Sequence, residues 1–426
     1  MKKVSFYTLG CKVNQYETQA LKEKFESNGY IVVGENDFAH VYVVNSCTVT
    51  GIADRKTRQY ARKTKKLNPD ATTAVVGCYA ETGADQLQKI DEVDIVLGTA
   101  EKSRLFEEIE NLQGTGNTKI IKSGEVKTLT EYDDVGLVNG MDSRTRAYIK
   151  IEDGCDRFCS YCIIPHSRGA VRSRPKEDII AEAVQLLKKG YKELILTGIN
   201  AALYGTDYGI DSIRLIKSIS EIPEGHDVTG DFRIRLSSLE PTVINSEYAK
   251  RLIEIPRLCP HLHLSLQSGS DRILSSMNRR YSRKDYLDIV DVLKTHDPNY
   301  SVTTDIIVGF PGENDEDFND SKSIVKEAGF SKVHVFKYSK RPGTVAADME
   351  EQVPGHIKNQ RSRELIRESE VQAKDFINQN KGTKREALIL EYDSENGQYH
   401  GITDNDIDVR IKSSVNIENK FVSITL

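Results

Sequence analysis

The hydrophobic pattern changes period twice along the chain. Over the first hundred or so residues, short apolar runs at 4–9, 41–44, 74–76 and 95–97 alternate with helical periodicity at 15–27, 52–67 and 82–90. The last three runs are β-branched and nearly all apolar, the pattern of strands buried on both faces. Such alternation predicts a small doubly wound parallel sheet. Residues 111–142 are rich in Gly, Thr, Asn and acidic side chains with weak periodicity, which predicts a linker with one hairpin.

A second alternating region opens near Thr145. Strand patterns at 147–151, 193–196, 232–236, 263–266, 303–308 and 333–336 are interleaved with helical ones at 177–189, 211–220, 243–255, 283–295 and 316–328. Six such strands predict a partial (β/α)6 barrel. A charged, helically patterned segment follows at 355–380. From residue 385 the period becomes two, at 387–390, 408–411 and 421–424, with turn residues at 394–397 and 403–405. This predicts a small β-barrel module. The expected fold class is α/β multidomain, with an N-terminal domain at 1–112, a linker at 113–140, a barrel core at 141–371 and a tail at 374–426.

Composition narrows the class. Of 426 residues, 29% are charged and 38% hydrophobic, an ordinary globular balance. No apolar run approaches the ~18 residues of a membrane span, and the start lacks a signal-peptide core. A cytoplasmic protein with no membrane partner is expected. The net charge of −5 argues against a surface that coats nucleic acid everywhere, but leaves room for a local basic face. Seven cysteines are too sparse for a disulfide scaffold, so metal binding or catalysis is the better expectation.

Cys155, Cys159 and Cys162 form C-x3-C-x2-C just after a barrel strand. Zinc usually takes four ligands, and no nearby Cys or His supplies the fourth; His166 follows Pro165 and reads equally well as a surface histidine. Three thiolates suit three irons of a 4Fe-4S cluster with the fourth iron open. A distorted zinc loop is the bland alternative. Cys11, Cys47 and Cys78 each sit just past a predicted parallel strand, in Thr8-Leu-Gly-Cys, Val44-Asn-Ser-Cys and Val76-Gly-Cys. Strand C-termini in a doubly wound sheet share the ligand edge, so these three converge on one centre or are unrelated turn residues. Cys259 has no such setting and reads as a core thiol.

The C-x3-C-x2-C spacing resembles the radical S-adenosylmethionine superfamily. So does Asp305-Ile-Ile-Val-Gly-Phe-Pro-Gly-Glu313, like that superfamily's adenine-side strand and turn. The segments Thr8 to Thr18, Asn45 to Thr50 and Val76 to Ala80 resemble the N-terminal domain of the radical methylthiotransferases. Asp153 to Gly169, Arg172-Ser-Arg174, Ser237 to Pro241 and Leu264 to Ser270 resemble the same family's barrel. The tail, with Gly401 to Val409, is similar to a TRAM domain, although Asp406 stands where an aromatic is more usual.

The resemblance implies two 4Fe-4S clusters, an auxiliary one on Cys11, Cys47 and Cys78 and a radical-generating one on Cys155, Cys159 and Cys162. One S-adenosyl-L-methionine would methylate the sulfur to be transferred, and a second would supply the radical that opens an unreactive C–H. Arg168, Ser237, Glu240, Gln267, Gly309 and Pro311 are the implied cofactor-side residues. For Arg168, Arg172 and Arg174 the alternatives are RNA phosphate or Arg–carboxylate forks. The form Gly10-Cys-Lys-Val-Asn-Gln-Tyr-Glu17 resembles the branch acting on N6-threonylcarbamoyladenosine at position 37 of tRNA. The isopentenyladenosine and ribosomal-protein branches usually differ after that cysteine.

The implied partners are the tRNA anticodon stem-loop and an electron donor such as flavodoxin or ferredoxin. Residues 55–66 hold seven basic side chains in twelve on a predicted helix, among them Lys56, Arg58, Arg62 and Lys63. They read as an RNA contact or as a solvated face. Asp404, Asp406 and Asp408 weaken an RNA reading for their own face of the tail. A non-enzymatic iron–sulfur RNA sensor is the other class of function, but a sensor needs no open iron.

Overall fold

Parallel strands dominate the computed structural model, which describes residues 1–115, 119–124, 126–136, 138–141, 145–226, 228 and 230–426. Two compact units form. One comprises Met1–Gly140, Lys150–Arg174 and Ser339–Thr344; the other comprises Met141–Ile149, Pro175–Tyr338 and Val345–Leu426.

The first unit is built on six strands: β1 (Lys3–Thr8), β2 (Ile31–Val33), β3 (Val41–Ser46), β4 (Thr72–Gly77), β5 (Ile95–Leu97) and β6 (Ile120–Lys122). Every pairing is parallel, in the order β2-β1-β3-β4-β5-β6. Helices α1 (Lys12–Ser27), α2 (Gly51–Leu67), α3 (Cys78–Thr82), α4 (Ala84–Leu87) and α5 (Leu105–Thr115) connect them. β3 is buried at every position, which explains its uniformly apolar start. The strand order reverses between β1 and β3, and a doubly wound sheet opens its ligand crevice at such a point.

Two expectations are corrected here. The stretch 111–142 holds no hairpin among its described residues: α5 runs through its start, and Ile120–Lys122 adds a parallel edge to β5. Ile120 and Ile121 complete the sheet, so the first unit extends past residue 112. Residues 116–118, 125, 137 and 142 of that stretch lie outside the described residues. The helix expected at 82–90 instead starts at Cys78 and breaks at Gly83. A Cβ on Gly83 would come within 2.3 Å of the Tyr79 ring, so the break falls at a position where only glycine fits.

In the second unit all six barrel strands form, at Arg146–Lys150, Glu193–Thr197, Arg233–Leu236, His261–Leu264, Ser301–Val308 and Lys332–Lys337. They hydrogen-bond in sequential order, with a break after Leu236 where the two-residue strand Ser238–Leu239 starts a second ribbon. The five expected helices separate them. Ser282 and Asn314 cap two of these, at Arg283–His296 and Asp315–Ala328, each with a full capping box. The charged segment is the helix Gly355–Gln379, seated through Leu365 and Phe376.

The tail is a four-stranded antiparallel sheet of Lys384–Asp393, Gln398–Thr403, Asp408–Ile411 and Phe421–Thr425. The strand at Gln398–Thr403 escaped the sequence reading because Gly401 and two turn-prone ends dilute its alternation. Arg233 and Arg235, at the start of a barrel strand, donate to the carbonyls of Ile402 and Thr403 at 3.0 and 3.1 Å. Asp406 pairs with Arg235 at 3.2 Å, and Asp404 lies 3.7 Å from Arg385. Two of the three acidic residues held against an RNA role are therefore neutralised by arginines.

Candidate metal centres

The chain reaches each cysteine of the first triad by leaving a parallel strand and entering a helix. Cys11 follows β1 and is the N-cap of α1, Cys47 follows β3, and Cys78 follows β4 as the first residue of α3. The strands β1, β3 and β4 are direct neighbours, so all three turns open on one edge beside the order reversal. Helix N-termini favour negative charge, which suits thiolates and an anionic cluster. Gly10, at φ +101°, brings its turn against Cys47; a Cβ there would lie 2.8 Å from the Cys47 sulfur. Burial pushes the Cys47 thiol up to about 12, Cys78 adds to the rise, and Arg168 opposes it. Binding iron would therefore release a proton from the Cys47 thiol.

The second triad occupies an irregular loop between the strand Glu152–Asp153 and the helix Ile164–Arg168. Backbone bonds shape it: the Cys155 amide donates to Gly169 O and the Cys162 amide to Cys159 O, both at 2.9 Å. Gly154 is obligatory, since at φ +83° a Cβ would sit 1.8 Å from the carbonyl oxygen of Ala170. All three thiols are part-exposed, and Cys162 and Cys159 both act on the charge of Cys155. Among the described residues, no group of three ligating side chains closes around a single ion. Zinc would need its sulfurs within about 2.3 Å of one point, whereas a four-iron cube holds its thiolates wider apart. Each set offers three thiols, the donor number of a 4Fe-4S cluster with one open iron.

Arg168 is fully buried and held as a fork, the alternative weighed for it above. Its Nη1 donates to both Asp153 oxygens at 2.8 and 2.9 Å and to Glu17 at 3.0 Å. Lys150 donates to Asp153 at 2.6 Å and to Glu17 at 2.8 Å, and Lys102 also binds Glu17. Glu17, Lys102, Lys150 and Asp153 are each at most 2% exposed. Burial alone would raise the Glu17 carboxyl, but Arg168, Lys102 and Lys150 outweigh it and hold it well below 4.5. Its charge thus contributes stability above pH ~4.5 that is lost as pH falls below that value. Glu17→Gln should cost about 3–5 kcal/mol at neutral pH, because it strands buried cations. It should also flatten the loss of stability between about pH 5 and 3, read by denaturant melts across pH.

Sequence reading missed this network, although one signal was present. Asn14 and Glu17 lie among Val13, Tyr16, Ala20 and Leu21 on the buried face of α1, polar groups where apolar ones belong. Arg341 was also missed. It reaches Thr48, beside Cys47, at 2.8 Å and Asp54 at 2.5 Å.

The other expected residues fall on strand C-terminal ends of the second unit, the ligand end of a barrel. Ser237 is buried, and its hydroxyl has no hydrogen-bond partner among the described residues. Glu240 accepts from Arg279 at 2.9 Å and Asn200 at 3.1 Å. Gln267, at φ +70°, bridges to the neighbouring strand through Asp305 O and the Ile307 amide. Gly309, at φ +71°, donates to Glu313 at 2.8 Å, and Pro311 is buried in the same turn.

On α2, Arg55, Lys56, Arg62, Lys63 and Lys66 are exposed. Arg58 is not part of that face: its guanidinium binds the Tyr79 hydroxyl and lies 5.5 Å from that ring's centre.

Fold and cysteine loop define a radical S-adenosylmethionine protein, and the Radical SAM superfamily model matches residues 149–323. Residues 3–98 match Uncharacterized protein family UPF0004. The chain is 41% identical over 362 residues to threonylcarbamoyladenosine tRNA methylthiotransferase MtaB of Thermotoga maritima, covering 85% of this chain and 80% of that one. It is 39% identical over 436 residues to the protein of that name from Bacillus subtilis, covering 100% and 94%. A tRNA-2-methylthio-N(6)-dimethylallyladenosine synthase of Pelotomaculum thermopropionicum is 34% identical over 439 residues, covering 100% and 95%. The chain belongs to the radical S-adenosylmethionine tRNA methylthiotransferase family. Among solved structures, the radical S-adenosylmethionine methyltransferase TsrM of Kitasatospora setae, bound to cobalamin and a 4Fe-4S cluster, shares the fold. Its TM-score is 0.59 at 13% identity, covering 81% of this chain and 77% of that one.

Proposed function

We propose that this protein is an enzyme that inserts a methylthio group at C2 of N6-threonylcarbamoyladenosine 37 of tRNA. The supporting observation is the pair of cysteine triads, one on a sheet's ligand edge and one on a barrel-type loop, within a single compact unit. When bound, the clusters and S-adenosylmethionine supply the sulfur, the methyl group and the radical that polar side chains cannot make. The residues contribute placement. Cys11, Cys47 and Cys78 hold the auxiliary cluster and Cys155, Cys159 and Cys162 the radical-generating one, while Ser237, Glu240, Gln267, Gly309 and Pro311 bind S-adenosylmethionine. An electron donor of the flavodoxin or ferredoxin class and a cytoplasmic setting follow from this reading; no helix among the described residues is long and apolar enough to cross a membrane.

The threonylcarbamoyl substrate is favoured by Lys12-Val13 after Cys11 and by identities of 38–41% to relatives of that name, against 34–37% for the dimethylallyl-named ones. Nucleoside mass spectrometry of tRNA from cells with and without the protein tests it. Loss of the methylthiolated threonylcarbamoyl nucleoside is expected. No change in any methylthio nucleoside overturns the activity, and loss of the isopentenyl form alone overturns the substrate.

The exposed face of α2 is proposed to contact RNA phosphate. Lys56, Arg62 and Lys63 replaced together by Ala should weaken tRNA binding and reduce the salt slope by about 2 to 3, roughly one per phosphate lost. An unchanged slope returns the helix to a solvated face.

A further inference from the structure

Arg168 spends one donor on sulfur: its Nε–H points at the Cys78 Sγ, 3.1 Å away. The remaining donors fix that aim. Nη1 is held by Asp153 and Glu17, and Nη2 donates to Asn14 Oδ1 at 2.7 Å. Asn14 in turn donates to Leu9 O at 2.6 Å and Ser46 O at 3.0 Å, in the turns that carry Cys11 and Cys47. One planar group therefore touches all three turns of the first triad, directly or through Asn14. The local charges also point to sulfur. Arg168, Lys102 and Lys150 outnumber the two carboxylates bonded to them, Glu17 and Asp153. Asp133 faces this group with a negative charge and Arg172 with a positive one. Of these cations, Arg168 is the one in contact with the Cys78 sulfur.

We propose that Arg168 is a positioning residue for the iron–sulfur centre of the first triad, hydrogen-bonding the Cys78 sulfur and raising that centre's reduction potential. The inference rests on the reading of Cys11, Cys47 and Cys78 as cluster ligands. Reduction adds negative charge that is shared with the ligand sulfurs. A donor and a cation aimed at one of them stabilise the reduced state more than the oxidised one. Arg168 and Cys78 are both buried, so solvent does little to screen their contact. Lysine would keep the charge but not the fork that turns Nε toward sulfur.

The test uses the full chain with Cys155, Cys159 and Cys162 replaced by Ala, so that iron in the first triad is read alone. Arg168→Lys in that background should retain about four irons per chain. Its midpoint potential, from an anaerobic titration followed by electron paramagnetic resonance, should move to more negative values, and the spectrum of the reduced centre should change. Should the lysine variant fail to fold, Arg168→Gln with Asp153→Asn removes one charge of each sign and is expected to show the same negative shift. A parent without iron overturns the reading of the triad and this inference with it. About four irons with an unchanged midpoint and spectrum overturn the inference alone. A raised KM for S-adenosylmethionine in the otherwise intact Arg168→Lys enzyme, with the midpoint unmoved, would place Arg168 on the cofactor instead.

Discussion

Cys159→Ala should reduce S-adenosylmethionine cleavage to background. It should also lower bound iron from about eight to about four per chain, since three thiolates are the minimum that holds a cube with one open iron. The fold should tolerate the change. Cys159 is part-exposed, and its backbone carbonyl accepts from the Cys162 amide at 2.9 Å, a bond that alanine keeps. A loss of 5′-deoxyadenosine formation from a variant that keeps its circular dichroism and melting temperature is thus a loss of chemistry and not of structure. Anaerobic chromatography of 5′-deoxyadenosine, beside an iron and sulfide count, reads both. Normal yield from a well-folded variant would refute the radical-generating assignment, and zinc in place of iron would refute both cluster assignments.

Cys47→Ala should have the complementary phenotype. Cys47 follows β3 of the six-stranded sheet, while Cys155 follows the strand Glu152–Asp153, which pairs with Arg172–Ser173 in a separate two-stranded sheet. Losing a ligand on one leaves the backbone of the other intact. Cofactor cleavage should persist while methylthio transfer to tRNA stops, leaving cleavage uncoupled from product. The side chain is nearly buried but small, and its removal opens little space, so the expected stability cost is about 1 kcal/mol. Sustained formation of methylthiolated adenosine over many turnovers by this variant would make the first triad structural.

What could be read from the chain followed the physics of burial. β3, β4 and β5 were legible because a strand covered on both faces is apolar without interruption. β2 and β6 are three-residue edges with exposed or half-exposed positions, so they lack the full burial that sets β5 apart at the same length. The cysteines were legible because few roles other than metal ligation suit their spacing. Their supports were not, since those pairings are set by topology: Glu17 meets Lys102 across 85 residues and Lys150 across 133. The motif Lys12-Val-Asn-Gln-Tyr-Glu17 illustrates the gap. As sequence it resembles the form of one substrate branch; in the fold Val13, Asn14, Tyr16 and Glu17 are buried, and only Lys12 and Gln15 face solvent. Direct contact with a substrate from this motif is confined to those two side chains.

The segment Ser339–Thr344 belongs to the same compact unit as the first sheet. Arg341 in that segment buries its charge against Asp54 and Thr48, next to Cys47. On the ribosome, the last cysteine of the first triad, Cys78, emerges more than 250 residues before Thr344. At roughly 5–20 residues per second this is a delay of over ten seconds. Throughout that interval Asp54 lacks its arginine and the turn after Cys47 lacks its clasp. The earliest-made cysteines thus reach their finished surroundings among the latest.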